Sequence, residues 1–267
     1  MTRETPFQAD ARPARTVRPL RVLALTALLA ACGGGGGDSG PPPRASMIPT
    51  APTPGATLYA DARTLHPLAP GALWSYAGTH TPPGLAALAY SDNVTQVARV
   101  DGSVDENGDN VFGSGASTQQ VQQAADSVRV TAFDYSGAAL PALSTELRSP
   151  VRVDDQIAVV EQTVANSGYD VDGDGRNDTV DFATYRRVIG NETVATPLYG
   201  SITALRVDVV YLTRFVASST QQVSPIVSFV QSLWYVPGVG VVRQRLSVPS
   251  TSGIDETWDE VLSGFSG

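Results

Sequence analysis

Alternation of apolar and polar residues is the feature of this sequence that most limits its fold. In residues 205–217 the odd positions are mostly apolar, as at Leu205 and Val207, whereas the even positions include Arg206 and Asp208. Successive side chains of a β-strand point to opposite faces, so this pattern predicts a strand with one buried and one solvated face. Similar alternation occurs at 127–132 and 242–248, and further candidate strands are 73–79, 94–100, 151–164, 180–189 and 226–236.

The segments between these candidate strands carry turn signals, such as Asn107-Gly108, Ser136-Gly137 and Pro237-Gly238. No long stretch has a convincing helical stripe of apolar residues. Short connections favour antiparallel neighbours, so we predict an all-β fold: a single curved antiparallel sheet or half-barrel meander of about nine to twelve strands.

The first 31 residues have the pattern of a secretory signal peptide. Several arginines precede an uninterrupted apolar run at 22–31. Ten residues of helix rise only about 15 Å, half of the roughly 30 Å hydrocarbon core of a bilayer, so a permanent membrane span is not expected. Residues 1–31 are therefore predicted to be removed on export.

The apolar run ends in Leu29-Ala30-Ala31-Cys32, which resembles the lipobox of bacterial lipoproteins. In that family, cleavage precedes a cysteine that becomes acylated, and Cys32 is the single cysteine of the chain. The resemblance implies a lipid anchor. In enteric bacteria an aspartate directly after the cysteine signals retention in the inner membrane, and here that residue is Gly33. The expected location is the outer membrane, on the periplasmic or cell-surface side. A plain signal peptide followed by a coincidental cysteine is the alternative.

The Gly- and Pro-rich residues 32–57 predict a tether, and residues 58–267 are predicted to form the all-β domain. The formal net charge is −8, and all 18 basic residues are arginine. Such an acidic chain has no basic footprint for phosphate backbones, so we expect no nucleic-acid partner. One cysteine and two histidines exclude a Cys/His zinc site within the chain.

Two short motifs resemble a group of uncharacterised bacterial lipoproteins. Residues 67–76 resemble their PLxxGxxWxY opening, and residues 234–242 resemble their WYxPGxGxV closing hairpin. This resemblance implies a curved antiparallel sheet similar to the LolA-type half-barrel that carries lipids. The motif aromatics are candidates for a ligand groove, with core packing as the alternative. They are Trp74, Tyr76, Trp234 and Tyr235.

One acidic segment carries the strongest chemical signal. Acidic residues occupy positions 1, 3, 5, 9 and 12 of a twelve-residue segment, with Gly175 at position 6 and a main-chain carbonyl at position 7. This spacing resembles EF-hand-like and dockerin-like calcium loops, although an aspartate replaces the usual glutamate at position 12. We predict a Ca²⁺-clamped β-hairpin loop, with a solvated acidic turn as the alternative. The candidate ligands are Asp170, Asp172, Asp174, Arg176 through its carbonyl, Asp178 and Asp181.

Catalytic patterns are weak in this chain. His66 and His80 each lie close before prolines and are predicted to be surface or turn residues, and no GxSxG elbow accompanies them. The acids clustered at 255–260 are interpreted as a strand edge or turn. We therefore favour a non-enzymatic, outer-membrane-anchored envelope lipoprotein with a calcium-stabilised β domain that binds an apolar ligand or a protein partner. The alternative is a hydrolase that acts on envelope or extracellular polymers.

Overall fold

The computed structural model describes residues 44–113, 115–135, 138–165, 167–249 and 253–267. The predicted signal peptide, the predicted anchor residue Cys32 and the first part of the predicted tether lie outside the described residues. Within the described ranges, no helix has both the length and the apolar character needed to cross a membrane.

The described residues form β-strands joined by turns and two short 3-10 segments, Ala62–Leu65 and Val111–Gly113. The strands are β1 (Thr57–Tyr59), β2 (Leu73–Thr81), β3 (Leu88–Ala98), β4 (Val104–Gly108), β5 (Ser117–Gln123), β6 (Ser127–Tyr135), β7 (Ala138–Arg148), β8 (Val151–Arg152), β9 (Gln156–Val164), β10 (Thr179–Thr196), β11 (Gly200–Val216), β12 (Val227–Val236), β13 (Gly240–Val248) and β14 (Glu256–Ser266).

Twelve of these strands form one antiparallel sheet in the order β7-β6-β5-β4-β3-β2-β14-β13-β12-β11-β10-β9, and β1 pairs separately with β8. Neighbours in this order are consecutive in the chain except where the last strand, β14, pairs with β2. The sheet curves so far that its edge strands β7 and β9 contact each other. The predicted all-β fold, a single curved antiparallel sheet, is confirmed, and the curve is nearly closed.

Strand β11 shows how the alternating pattern is used. Leu205, Val207 and Val209 are buried in the main core, as the odd-position pattern predicts. The main core also contains Val104 from β4 and Val121 from β5. Because these strands belong to opposite halves of the sheet, the core is formed by the curved sheet folding over on itself.

One predicted strand is divided in the structure. The candidate strand at 151–164 is interrupted by a turn between β8 and β9. Asp154 in this turn has a φ of 62°, a left-handed conformation that aspartate tolerates better than most residues. The consecutive Asp154 and Asp155 therefore end one strand before the next begins.

The chain contacts the sheet before the predicted domain start near Leu58, which lies within β1. Met47 is buried against Ala183 and Leu212 on the outer face of β10 and β11. The Glu161 carboxylate accepts hydrogen bonds from the Met47 N–H at 2.7 Å and from the Ser46 hydroxyl at 2.8 Å. Residues 44–57 thus include contacts that hold them to the domain.

Alternate connections of an antiparallel sheet lie at the same end of the strands. We define the loop end as the end that contains the described residues of five connections, those between β2 and β3, β4 and β5, β9 and β10, β11 and β12, and β13 and β14. The opposite end contains the connections 99–103, 124–126, 197–199 and 237–239. The candidate calcium loop belongs to the loop end.

Candidate functional site

The candidate calcium loop connects β9 to β10. Gly173 and Gly175 have φ values of 76° and 85°, conformations that glycine adopts without a steric penalty. The Asp170 carboxylate accepts hydrogen bonds from the backbone N–H groups of Gly173 at 2.7 Å, Asp174 at 3.1 Å and Gly175 at 2.9 Å. The loop therefore curls around the Asp170 carboxylate.

This curl brings three of the predicted ligands together. Asp170, Asp172 and Asp174 each offer a carboxylate oxygen, these oxygens lie within 4.8 Å of one another, and all three residues are exposed. The Asp172 and Asp174 carboxylates accept hydrogen bonds from the hydroxyls of Ser219 at 2.6 Å and Ser218 at 2.8 Å. Exposed carboxylate oxygens are the donors that Ca²⁺ prefers, so the chemistry of these three residues fits that ion.

The other acidic residues of the predicted ligand set have different partners. Asp178 is fully buried, and its carboxylate accepts the backbone N–H groups of Val171 at 2.6 Å and Ser218 at 2.7 Å. It therefore fastens the candidate loop to the β11–β12 connection. The exposed Arg176 donates its backbone N–H to the Asp174 carboxylate at 2.7 Å.

Asp181, the residue predicted for position 12, lies within β10 and is buried. Its carboxylate contacts the guanidinium groups of Arg44 at 3.0 Å and Arg214 at 2.8 Å and the Thr163 hydroxyl at 2.8 Å. The structure does not bring it into the group formed by the three loop aspartates. The physical reason is that β10 begins before Asp181, so the alternation of the strand turns this side chain to the outer face.

The predicted groove aromatics of β2 are buried. Trp74 and Tyr76 are 4 % and 6 % exposed. Trp74 donates its indole N–H to the carbonyl of Val239 at 2.7 Å, and Tyr76 donates its hydroxyl to the carbonyl of Val241 at 2.8 Å. These side chains hold β2 against the β12–β13 hairpin and do not line an open groove.

The two aromatics of β12 are buried as well. Trp234 lies between the guanidinium groups of Arg206 and Arg243, at 5.5 Å and 5.1 Å from the ring centroid. Tyr235 is completely buried on the other face and donates its hydroxyl to Glu146 at 3.0 Å. All four predicted groove residues are thus packing residues whose polar atoms have partners inside the protein.

The structure reveals a buried charged cluster that the sequence reasoning missed. His66 is only 5 % exposed and lies between two glutamates. Its Nε2 is 2.8 Å from Glu106 Oε1, and its Nδ1 is 3.0 Å from Glu146 Oε2. Arg186 NH1 lies 3.7 Å from Glu146 Oε1. We call these four residues the His66 cluster.

Neighbouring strands supply the remaining partners of Glu106. This residue lies directly opposite Gln96 in β3 and Gln119 in β5. The side-chain amides of both glutamines donate to its carboxylate at 2.6 Å. A buried charge is tolerated only when it is paired and hydrogen-bonded, and Glu106 meets both conditions.

The cluster fixes the charge state of its members. Burial alone would lower the pKa of His66, but the charges of Glu106 and Glu146 reverse this and raise that pKa well above 6.5. Burial alone would raise the pKa of Glu146, yet His66 and Arg186 lower it to about 2. His66 is therefore an imidazolium held between two carboxylates at neutral pH. The prediction that it is a surface or turn residue was wrong about its burial.

A second pair of buried acids lies under the β4–β5 connection. Glu260 and Asp92 are both 0 % exposed. Glu260 accepts the Phe112 backbone N–H at 2.8 Å and the side-chain amide of Gln244, and Asp92 accepts the Asn110 N–H at 3.0 Å. Burial, followed by the charge of Asp92, raises the pKa of Glu260 to about 7.

A raised carboxyl pKa can mark a general acid, which bears on the hydrolase alternative. Both carboxyls of this pair are closed off from solvent, however, and Glu260 uses both of its oxygens for contacts inside the protein. A substrate would need direct contact with such a group. The geometry therefore supports a structural role for this pair.

The Glu260 carboxyl should make stability depend on pH. Its folded pKa of about 7 lies above the ordinary glutamate pKa of 4.5, so the folded state holds an extra proton between these values and stability falls as pH rises through them. Glu260→Gln imitates the protonated form. As pH rises from 5 to 8, we expect the free energy of unfolding of the variant, measured in urea, to increase relative to that of wild type by about 2 to 3 kcal/mol.

Asp255→Asn is the matched control, because Asp255 is an exposed acid hydrogen-bonded to Ser247. We expect it to change the free energy of unfolding by less than about 0.5 kcal/mol at either pH. A Glu260→Gln effect of equal size at pH 5 and pH 8 would contradict titration of Glu260 in this window.

The loop end also carries exposed aliphatic side chains. Leu85 lies in the β2–β3 connection and Leu88 begins β3. Val223 and Ile226 lie in the β11–β12 connection, Val227 begins β12, and Val171 lies in the candidate calcium loop. Their exposed fractions range from 48 % for Ile226 to 69 % for Leu85. We call these six residues the aliphatic rim.

A separate depression of about 370 Å³ lies on the outer face of β2, β14 and β13. Thr79, Arg245 and Asp259 are among its lining residues. None of the residues predicted from the sequence to form a site lines it.

Comparisons with known proteins found neither a matching family model nor a matching curated protein. Two solved structures match. One is a "putative lipoprotein" from Parabacteroides distasonis, with 17 % identity, a TM-score of 0.37 and coverage of 75 % of this chain and 97 % of that chain. The other is a "putative exported protein with YmcC-like fold" from Bacteroides fragilis, with 14 % identity, a TM-score of 0.32 and coverage of 75 % of this chain and 98 % of that chain. The strand pairing of this chain itself establishes the fold.

Proposed function

We propose that this protein is an envelope lipoprotein, anchored in the outer membrane through acylated Cys32, whose calcium-stabilised β domain works by binding and not by catalysis. The binding surface in this proposal is the loop end. The observation that carries it is that the three loop aspartates and the aliphatic rim lie at the same end of one sheet.

The anchor part of the proposal is supported by the sequence. Cys32 follows an apolar run of signal-peptide type and precedes a Gly- and Pro-rich segment. Arginine-only basic residues and a net charge of −8 give no reason to expect a nucleic-acid partner. The binding part is supported by the aliphatic rim, because exposed apolar side chains that cluster on one surface mark protein-binding or membrane-binding sites.

Calcium should stabilise the folded domain. The ligand set that the geometry favours is Asp170, Asp172 and Asp174, with the Arg176 carbonyl as an additional candidate. At an extracellular-type affinity of about 10⁻⁴ to 10⁻³ M, several millimolar calcium stabilises the native state by about 1 to 2 kcal/mol. For a domain of this size, we expect the melting temperature of the purified protein to rise by about 3 to 6 °C over that in EDTA.

Asp172→Asn removes one carboxylate charge and should abolish most of this shift. Asp101→Asn is the matched control, since Asp101 accepts the N–H and hydroxyl of Ser103 in a turn at the opposite end. The control variant should keep the full calcium shift. If wild type melts at the same temperature in saturating calcium and in EDTA, the calcium part of the proposal fails.

A further inference from the structure

The path of the N-terminal chain indicates which end of the domain is nearer to the anchor. Arg44 pairs with Asp181 near the start of β10, and the Ala45 carbonyl accepts a hydrogen bond from Arg214 near the end of β11 at 3.3 Å. Both contacts lie beside the loop end. From there the described chain runs along β10 and β11 toward β1, which pairs with β8 at the opposite end.

Arg44 follows Cys32 by only twelve residue positions. Even a fully extended chain of that length reaches no more than about 43 Å. The turn at the opposite end, which contains Leu198 and Tyr199, lies beyond Thr196, fifteen residues along β10 from Asp181. At about 3.3 Å per residue this is about 50 Å. A lipid anchor at Cys32 therefore lets the loop end contact the membrane but keeps the opposite end out of its reach.

The aliphatic rim lies at the end that the anchor can reach. Three of its members belong to the segment at the start of β12, and Leu88 begins β3. The sheet order places β2, β14 and β13 between β3 and β12, so these groups are separated by four inter-strand spacings, about 19 Å. Val171 is next to this segment, because its neighbour Asp172 contacts Ser219 in the β11–β12 connection.

We propose that the loop end rests on a lipid bilayer, with the aliphatic rim at the boundary between headgroups and acyl chains. This inference rests on the proposed anchor at Cys32 and names the partner of the proposed binding surface. A bilayer can bury the apolar side chains of the rim at its surface, so no groove in a partner protein is needed. The lipid anchor keeps these side chains close to the bilayer. The two features then act together, since a single weak contact becomes effective when it is tethered.

The test uses the acylated protein in phosphatidylcholine vesicles, which carry no net charge and so do not repel the acidic loop. One variant, Val227→Cys, receives a thiol-reactive fluorophore at the rim. A second, Leu198→Cys, receives it at the opposite end. Nitroxide lipids should quench the fluorophore at position 227 at least about twofold more than that at 198, and aqueous iodide should show the reverse preference.

Several outcomes would overturn the inference. Equal iodide access and no nitroxide quenching at both positions would mean that the domain stands away from the bilayer, and stronger quenching at 198 would mean the opposite orientation. Protection of position 227 in native membranes but not in pure vesicles would identify a protein partner as the occupant. The wild-type chain reports separately on the anchor, because an acylated Cys32 cannot react with the fluorophore. Labelling of wild type would refute the proposed anchor itself.

Discussion

Replacement of Glu146 by glutamine should lower the free energy of unfolding by about 3 to 5 kcal/mol, because it breaks a buried ion pair from one side. His66 and Arg186 would lose the carboxylate that lies 3.0 Å and 3.7 Å from them. The Tyr235 hydroxyl would keep only an amide as its acceptor. Urea unfolding at pH 6 measures the loss, since both His66 and Glu146 are charged in the wild-type protein at that pH.

The same cluster should give the wild-type protein a defined pH range of greatest stability. Because the pKa of His66 is raised above 6.5, its contribution is complete below that pH and is lost as pH rises through the raised value. Because the pKa of Glu146 is lowered to about 2, its contribution is complete above the ordinary glutamate pKa of 4.5 and is lost as pH falls toward 2. In the Glu146→Gln variant, the loss of stability at high pH and the loss at low pH should both be smaller than in wild type.

Asp154→Asn is the control for this experiment. Asp154 also pairs with an arginine, Arg187 at 2.5 Å, but the two side chains are 36 % and 44 % exposed. An exposed pair of this kind contributes about 0 to 1 kcal/mol, so this variant should be nearly neutral. With only two histidines in the chain, NMR can follow the imidazole of His66 directly. Equal stabilities of the two variants, or a His66 pKa near 6.5 in wild type, would contradict this role of the cluster.

Replacement of Cys32 by serine should move the protein from the membrane fraction to the soluble fraction. Each buried acyl methylene contributes about 0.8 kcal/mol, and stable anchoring requires two signals. Serine cannot form the thioether on which acylation begins, so all chains would be lost at once. The aliphatic rim alone should hold only a small part of the protein on membranes.

Gly33→Ser is the matched control for the anchor, because it changes the neighbouring residue and keeps the cysteine. It should remain in the membrane fraction. Cell fractionation with mass measurement of the mature N-terminus gives both the location and the acyl mass. Unchanged membrane association of Cys32→Ser would show that another part of the chain is the anchor.

The fold class could be predicted because strand alternation is a local property. In an alternating strand such as β11, the residues themselves show which face is buried and which is solvated, as Leu205 and Arg206 illustrate. The clustering of Asp170, Asp172 and Asp174 could be predicted for the same reason, since a loop of this spacing curls through its own backbone hydrogen bonds. Local chemistry was sufficient for both.

Position 12 of the loop shows where local reasoning ended. The spacing assigned Asp181 to the ion, but β10 begins at Thr179 and turns Asp181 toward Arg44 and Arg214, which are distant in sequence. The groove aromatics show the same limit. Nothing near Trp74 in the chain reveals that the Val239 carbonyl, 165 residues later, accepts its indole N–H.

The sequence by itself thus determined the strands, the turns and the acidic loop, whereas only the tertiary structure decided which charges are buried. His66 has no acidic neighbour in the sequence, and its partners Glu106 and Glu146 come from β4 and β7. They meet because the sheet curves so strongly that β4 and β7 face the same core, where Arg186 joins them from β10 in the other half of the sheet. A charge becomes costly or favourable only in that enclosed environment, where water is excluded and Coulomb interactions are strong.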